Sequence, residues 1–308
     1  STQAKTLFPY TTLFRSPMGL HERGLVTPSV SLAALLSGMQ DEVSGAASFA
    51  LRDYAEAIVG SGFPGILGAA PRLRNGLLNA YLQRVIDRDL PEQGYEVRRP
   101  ETLRRWLAAY GAASSTTTAY SRLLDATTAG DGAQPAKTTT IAYRDRLTQL
   151  WLLDPVPGWT PANSAISNLQ QAPKHQLADP ALAARLLRIT SSALLGPGGA
   201  HMMGPLFESL VTLGVRVAAQ AAEARVSHLR LHGGDREVDL IVEGAEGQIL
   251  GIEVKLAPAV TDSDVRHLLW LRDQLPGRVV DLVVVTTGST AYRRPDGVAV
   301  VPLALLGA

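Results

Sequence analysis

The residues best suited to chemistry stand in the last third of the chain. They are Asp239 in the run REVDLIV (236–242), and Glu253 and Lys255 in GIEVKL (251–256). Both runs read as strands, because polar and apolar residues alternate along them. Strand side chains point to opposite faces with a period of two. Glu253 and Lys255 therefore share one face while Val254 turns to a core, and Glu237 and Asp239 share a face of their own. The intervening EGAEGQ (243–248) is turn-rich. A hairpin through it would gather two carboxylates and an amine into one small patch. A magnesium ion takes hard oxygen ligands, and a nearby lysine can orient or activate a water. The chemistry such a patch suits is metal-dependent phosphodiester hydrolysis.

These strands belong to a unit with a single logic, residues 201–308. A helix is expected over 205–222, then strands over 226–231, 237–242 and 249–255. A helix over 263–275 follows, with Thr261, Asp262 and Ser263 supplying its cap, and strands over 279–286 and 298–303 close the unit. The unbroken apolar run Leu282-Val283-Val284-Val285 suits a strand covered on both faces. The order α-β-β-β-α-β-β implies a mixed sheet flanked by helices. Glu208 lies in the first helix, where Val211 and Val215 are its i+3 and i+7 neighbours. A carboxylate on an apolar stripe is costly unless it is paired or binds metal. At the stripe's edge it could instead be solvated, or pair with Arg216 or Lys255. With Asp239, Glu253 and Lys255 on the sheet, the metal-site reading is the stronger.

Glu208 on a helix, Asp239 on a strand and Glu253-x-Lys255 on the next strand resemble the PD-(D/E)XK nuclease-like superfamily. The resemblance implies that Asp239 and Glu253 ligate Mg2+, with the Val254 carbonyl nearby. Lys255 would position or activate the attacking water, and Glu208 would support the metal or its water. All four residues are thereby implied as catalytic. The sequence departs from the pattern in that Val238 replaces the family's proline before the aspartate.

The rest of the chain is read for what positions this unit. Hydrophobic residues make up 46% and charged residues 19%, a globular balance. Twenty-nine basic and 28 acidic residues nearly cancel, so no overall positive field demands nucleic acid and none forbids it. The chain has no cysteine, which excludes disulfides, zinc–thiolate sites and cysteine nucleophiles. No apolar run reaches transmembrane length, so no membrane partner is expected and the expected location is the cytoplasm.

Residues 17–70 carry short helical patterns at 31–39 and 48–58, the second ended by GSGFPG (60–65). Residues 71–160 begin with a long amphipathic helix over 73–90. Three short helices follow: one starting at Pro100, one over 120–124 after the cap-like Ser114 to Thr117, and one capped by Lys137 to Thr140. A small-residue break at 129–136 separates the last two. This arrangement resembles a helix-turn-helix or winged-helix module whose third helix could enter a major groove. A helical packing module without nucleic acid is the alternative; residues 72–105 carry a mild basic excess. Residues 161–200 form a linker with one short helix at 180–187, opened by Asp179-Pro180. The fold class expected is thus α/β (α+β): a helical, winged-helix-like region followed by a nuclease-like mixed sheet.

A wider resemblance covers almost everything from Pro17 onward. It is carried by Ser61-Gly62-Phe63-Pro64, Tyr81 through Arg88-Asp89, Leu150-Trp151-Leu152-Leu153-Asp154-Pro155, Lys174 through Asp179, Leu206 through Val211, and the strand residues above. These phrases are similar to the C-terminal part of a prokaryotic AAA+ ATP-binding protein family that ends in a nuclease-like domain of unknown function. The resemblance implies an ATPase core upstream, with residues 17–70 a remnant of its lid. No P-loop motif is present, so ATP is expected as a ligand of the full-length protein only. Residues 6–16 (TLFPYTTLFRS) resemble a translated sequencing adapter, so residues 1–16 are expected to be an artefact. The function expected is that of a nuclease-like domain that binds or cleaves DNA with magnesium. The alternative is a non-catalytic DNA- or protein-binding module regulated by the ATPase. DNA and a second copy of the chain are the partners left open.

Overall fold

The computed structural model describes residues 16–40, 42–127, 136–160, 166, 169 and 172–308. Most of the adapter-like run and most of the break at 129–136 lie outside the described residues.

The chain opens with β1 (Val30–Ser31), α1 (Leu32–Leu36), β2 (Gly45–Ala46) and α2 (Leu51–Gly60). Then come α3 (Pro71–Arg84), a π-helical turn (Val85–Asp89), the short α4 (Leu90–Glu92), α5 (Pro100–Ala112), α6 (Tyr120–Thr127) and α7 (Lys137–Gln149). Next are α8 (Pro180–Leu186), α9 (Ser191–Leu194) and the long α10 (Ala200–Ala221). The C-terminal unit is β3 (Arg225–Arg230), β4 (Glu237–Glu243), β5 (Ile249–Lys255), α11 (Asp262–Gln274), β6 (Val279–Thr286), β7 (Thr290–Arg293), β8 (Ala299–Pro302) and β9 (Leu306–Gly307).

Seven strands form one mixed sheet in the order β2-β7-β8-β6-β5-β4-β3. The expected hairpin is present: β4 and β5 run antiparallel, with Leu240 opposite Ile252 and Glu243 opposite Ile249. β5, β6 and β8 are mutually parallel. Alternation sorts the side chains. Val283 and Val285 of β6 pack with Leu206, Phe207 and Leu210 of α10, while Leu282 and Val284 pack with Val265, Leu268 and Leu271 of α11. A central strand apolar on both faces is what two covering helices require. The α11 cap is as expected, with the Thr261 N–H donating to Asp264 Oδ2 at 2.8 Å.

Three features differ from the sequence reading. β7 adds a strand, and residues 30–46, read as part of a separate N-terminal remnant, join the sheet unit: β1 pairs with β9 and β2 extends the sheet through β7. Strands two to four residues long show no periodicity in sequence. Second, α10 is 22 residues long with mean hydropathy 1.2, so it has the length and composition of a membrane span although 67% of that window is buried in the protein. Its apolar sides meet the sheet on one flank and α1, α2, α8 and α9 on the other. Third, the helical region does not end in a free hairpin. After α7, antiparallel bridges join Leu153 to Leu177 and Val156 to Lys174. This ribbon, in the place of a wing, turns inward onto the sheet unit.

A buried joint fixes that ribbon. Asp179, fully buried, accepts hydrogen bonds from Ser61 Oγ and the Gly62 N–H, both at 2.7 Å, and from the Ala181 N–H at 2.9 Å, which caps α8. Ser61 is held at φ 66° and ψ 144°, a backbone region that side chains disfavour. A Cβ on Gly62 would stand 2.5 Å from the Met18 carbonyl oxygen, so this position requires glycine.

Candidate carboxylate centre

Glu208, Asp239, Glu253 and Lys255 are all drawn to the end of the sheet where β4 and β5 part. Their paired register stops at Leu240 and Ile252. One residue further on, Asp239 Oδ2 accepts the Val254 N–H at 2.9 Å, so the carboxylate replaces the lost ladder partner. A β-bulge aims it. Between β3 and β4 the register passes from Ser227–Ile241 to Leu229–Val238, so His228 alone faces both Asp239 and Leu240. Val238 and Ile241 pack with the α11 cluster while Leu240 and Val242 pack with the α10 cluster. The extra residue lets Asp239 stand on the α10 side without turning Leu240 away from it.

The centre's principal cation is one the motif did not name. Lys174 is 2% exposed, and its Nζ lies 2.8 Å from Asp239 Oδ1, 2.9 Å from Glu208 Oε1 and 3.2 Å from Glu237 Oε1. Glu208 therefore pairs with Lys174 and with neither Arg216 nor Lys255. Arg216 instead donates to the carbonyls of Asp154 and Pro155. Glu237 and Asp239 share a face, as their spacing requires, and both meet the ammonium.

The backbone around Lys174 is firmly tied. Its N–H and carbonyl bond Val156 in both directions at 2.9 Å. The His175 N–H donates to Thr116 O, the Ser115 N–H to His175 O, the Asp154 N–H to Gln176 O, and the Ala178 N–H to Leu152 O. His175 Nε2 lies 2.7 Å from Thr118 O.

Glu253 and Lys255 form a second pair beside the first, 2.8 Å apart. They lie on the α11 side. The Gly251 backbone faces Leu268 and Leu271, and Lys255 Nζ lies 4.0 Å from Asp264 Oδ1. Glu253 Oε2 is buried and has no hydrogen-bond partner.

Protonation follows from burial and the sharing of one ammonium. Burial alone would depress Lys174, but Asp239, Glu208 and Glu237 hold it well above its ordinary value. Burial works against Asp239 as a carboxylate, yet Lys174 and the Val254 N–H bring it below the usual range. One ammonium cannot keep both buried carboxylates, Glu208 and Asp239, ionised. Asp239 takes the charge, and Glu208 is pushed up to about 8, first by burial and then by Asp239. Glu253 is pushed up to about 8 in the same way. His228, whose Nε2 lies 2.9 Å from Ala172 O, is brought down to about 4 by burial and then by Lys174.

Residues 203–306 match a domain of unknown function, DUF4143. Residues 51–193 match a second domain of unknown function, DUF8612. The boundary between the matches falls before α10, so Lys174 comes from the second domain and its three carboxylate partners from the first. No curated protein and no solved structure matches the chain.

These residues do not fit a divalent cation as they are arranged. Both oxygens of Asp239 are engaged, Glu253 Oε1 is held by Lys255, and the ammonium of Lys174 fills the space among Glu208, Glu237 and Asp239. Among the described residues no group of three or more His, Asp or Glu side chains is disposed to hold a metal. What the arrangement can do is lock two domains together through a desolvated cation.

Proposed function

We propose that this chain is a nuclease-like module that binds a partner, DNA or protein, without hydrolysing it. The resident cation of its carboxylate centre is its own lysine. The observation that carries the reading is the position of Lys174 Nζ, within 3.2 Å of Glu208, Glu237 and Asp239. Two charges meet the requirements of a buried carboxylate site in different ways. A metal brings open coordination positions for water and substrate. An ammonium brings three hydrogen-bond donors and no Lewis acidity. Lys174 donates to Glu208 and Asp239 and lies 3.2 Å from Glu237, and the ribbon that carries it is bonded on both sides. The centre then serves as a joint between the helical region and the sheet. The DUF4143 match at residues 203–306 agrees with the resemblance to the tail of AAA+ ATP-binding proteins. In such a protein a rigid joint would transmit movement of the ATPase to the module.

Hydrolysis is the second reading, and the bare Glu253 Oε2 favours it. It requires the Lys174 side chain to leave Glu208 and Asp239, while Glu237 keeps Arg230 at 3.0 Å. The two readings separate in a cleavage assay with linear and supercoiled DNA and magnesium or manganese. The joint reading expects intact DNA and no difference between the wild-type chain and Asp239→Ala. Cutting by the wild type that disappears in Asp239→Ala would overturn it.

A further inference from the structure

The helical region carries a second charged feature, which shares no residue with the carboxylate centre. Between α3, α5 and the end of α8 lies an open cleft of about 620 Å³. Its walls include Arg104 on α5, Arg185 on α8, Arg188 just past α8, and the amides Asn79 and Gln83 on α3. An adjoining hollow of about 180 Å³ shares Arg185 and Arg188 and adds Arg74.

The way these guanidinium groups are held is informative. Arg185 Nε donates to Asn79 Oδ1 at 2.7 Å, and Arg104 Nη2 donates to Gln83 Oε1. An amide oxygen fixes the orientation of a guanidinium but leaves its charge uncancelled. Among the described residues neither arginine pairs with a carboxylate, and nor does Arg188. Several arginines of the sheet unit are instead matched to acids, as in Arg293 with Asp281 and Arg278 with Glu243. Arg188 is exposed at φ 57°, a left-handed position after a helix where glycine is the usual residue. The cleft therefore carries four arginines, two of them oriented by amides, against the single carboxylate of Glu101, within a chain whose net charge is only +1.

We infer that this cleft binds the phosphodiester backbone of duplex DNA. Guanidinium forks match phosphate oxygens in pairs, and amide side chains beside them add further donors. The cleft offers nothing to read or stack a base. No aromatic side chain lines it, and the aromatic residues of α5, Trp106 and Tyr110, are buried in the core. Single strands are held chiefly by stacking on aromatic side chains. A duplex needs only phosphate contacts, and contact of this kind is independent of sequence and strongly salt-dependent. The site differs from the major-groove contact expected of α7. There Arg144 pairs with Asp145 and lies over the Tyr120 ring.

This inference rests on the binding-module part of the proposed function, and names its surface and its ligand. It is tested with the full chain by fluorescence anisotropy on a mixed-sequence duplex over a range of salt concentrations. Binding should weaken at least fivefold in Arg188→Gln and at least tenfold in Arg104→Gln/Arg185→Gln. The dependence of log K on log salt should become shallower by about one unit per arginine removed. Arg188 is exposed, so its variant tests the cleft without disturbing the core, and thermal melting checks the double variant. Arg144→Gln/Arg146→Gln should bind as the wild type does. Three outcomes overturn the inference: wild-type binding no tighter than to single-stranded DNA, loss of binding in the α7 variant with the cleft variants unaffected, or preference for poly-glutamate over duplex. Gel analysis of the same samples keeps the two proposals apart. DNA bound through the cleft but cut would contradict the joint reading alone, whereas DNA left intact and unbound would contradict the cleft alone.

Discussion

Lys174 Nζ lies 2.8 Å from Asp239 Oδ1 although 65 residues separate the two in the chain. The contact joins a ribbon of the helical region to a bulged strand of the sheet, in a place where water does not compete. A buried ion pair contributes modest net stability as a whole, but removing one member strands the other.

Lys174→Met should therefore lower the unfolding free energy by about 3–5 kcal/mol, because Asp239 and its neighbours lose their cation without gaining water. Urea unfolding measures this. Lys174→Met combined with Asp239→Ala should cost clearly less than the sum of the single variants, as directly coupled residues do. A single-variant cost below about 1 kcal/mol, the range of an exposed pair, would mean that the ammonium does not hold the centre together.

The raised glutamates give stability a pH dependence of definite sign. Glu208 and Glu253 are pushed up to about 8 in the folded chain and return to their ordinary, much lower values when it unfolds. Between those limits the folded state binds more protons, so their contribution falls as pH rises and is lost above about 8. His228 acts in the opposite sense. It is brought down to about 4, and its contribution is lost as pH falls from its unfolded value toward that figure. Above the ordinary histidine range the decline due to the glutamates is unopposed. Melting temperature should accordingly fall from about pH 6.5 to 8, and less steeply in Glu253→Gln. A flat wild-type profile over that interval would contradict the protonated state of both residues.

Sequence periodicity exposed most of the sheet unit. β4, β5 and β6 each present a readable alternation or an unbroken apolar run, and α10 and the capped α11 follow. It also brought Glu208, Asp239, Glu253 and Lys255 to one end of the sheet, but not to one face: Asp239 stands on the α10 side and Glu253 and Lys255 on the α11 side. Lys174 could not be identified in the same way. It stands in KHQLAD (174–179), a segment with no helical or strand period, and its partners lie in another domain. The signal available was the phrase Lys174 through Asp179 in the wider resemblance, which only a folded structure ties to the sheet. The bulge at Asp239 and Leu240 was equally hidden, because VDLIV is an ordinary strand sequence whether or not one residue is unpaired.

The joint around Asp179 makes a separate prediction. Asp179→Ala removes the acceptor for Ser61 Oγ and the Gly62 and Ala181 N–H groups, all buried, together with the cap of α8. The cost should be about 3 kcal/mol, from stranded donors and a lost cap. Because the same residue ends the ribbon of Lys174, hydrogen exchange of residues 172–178 should quicken in this variant while the β5 and β6 amides stay protected. Unchanged exchange in the ribbon would show that it is held without this joint.

The central claim, that Lys174 is the resident cation of the carboxylate centre, is tested most directly by thermal melting with and without magnesium chloride. The comparison is between the wild-type chain and Lys174→Ala. The wild type should melt at the same temperature in both conditions, since its carboxylates are already satisfied. Lys174→Ala should be less stable and recover by about 3 °C or more when the ion is added, because the vacated carboxylates then bind it. A wild-type melting temperature that rises with magnesium, together with a variant that does not respond, would contradict the account.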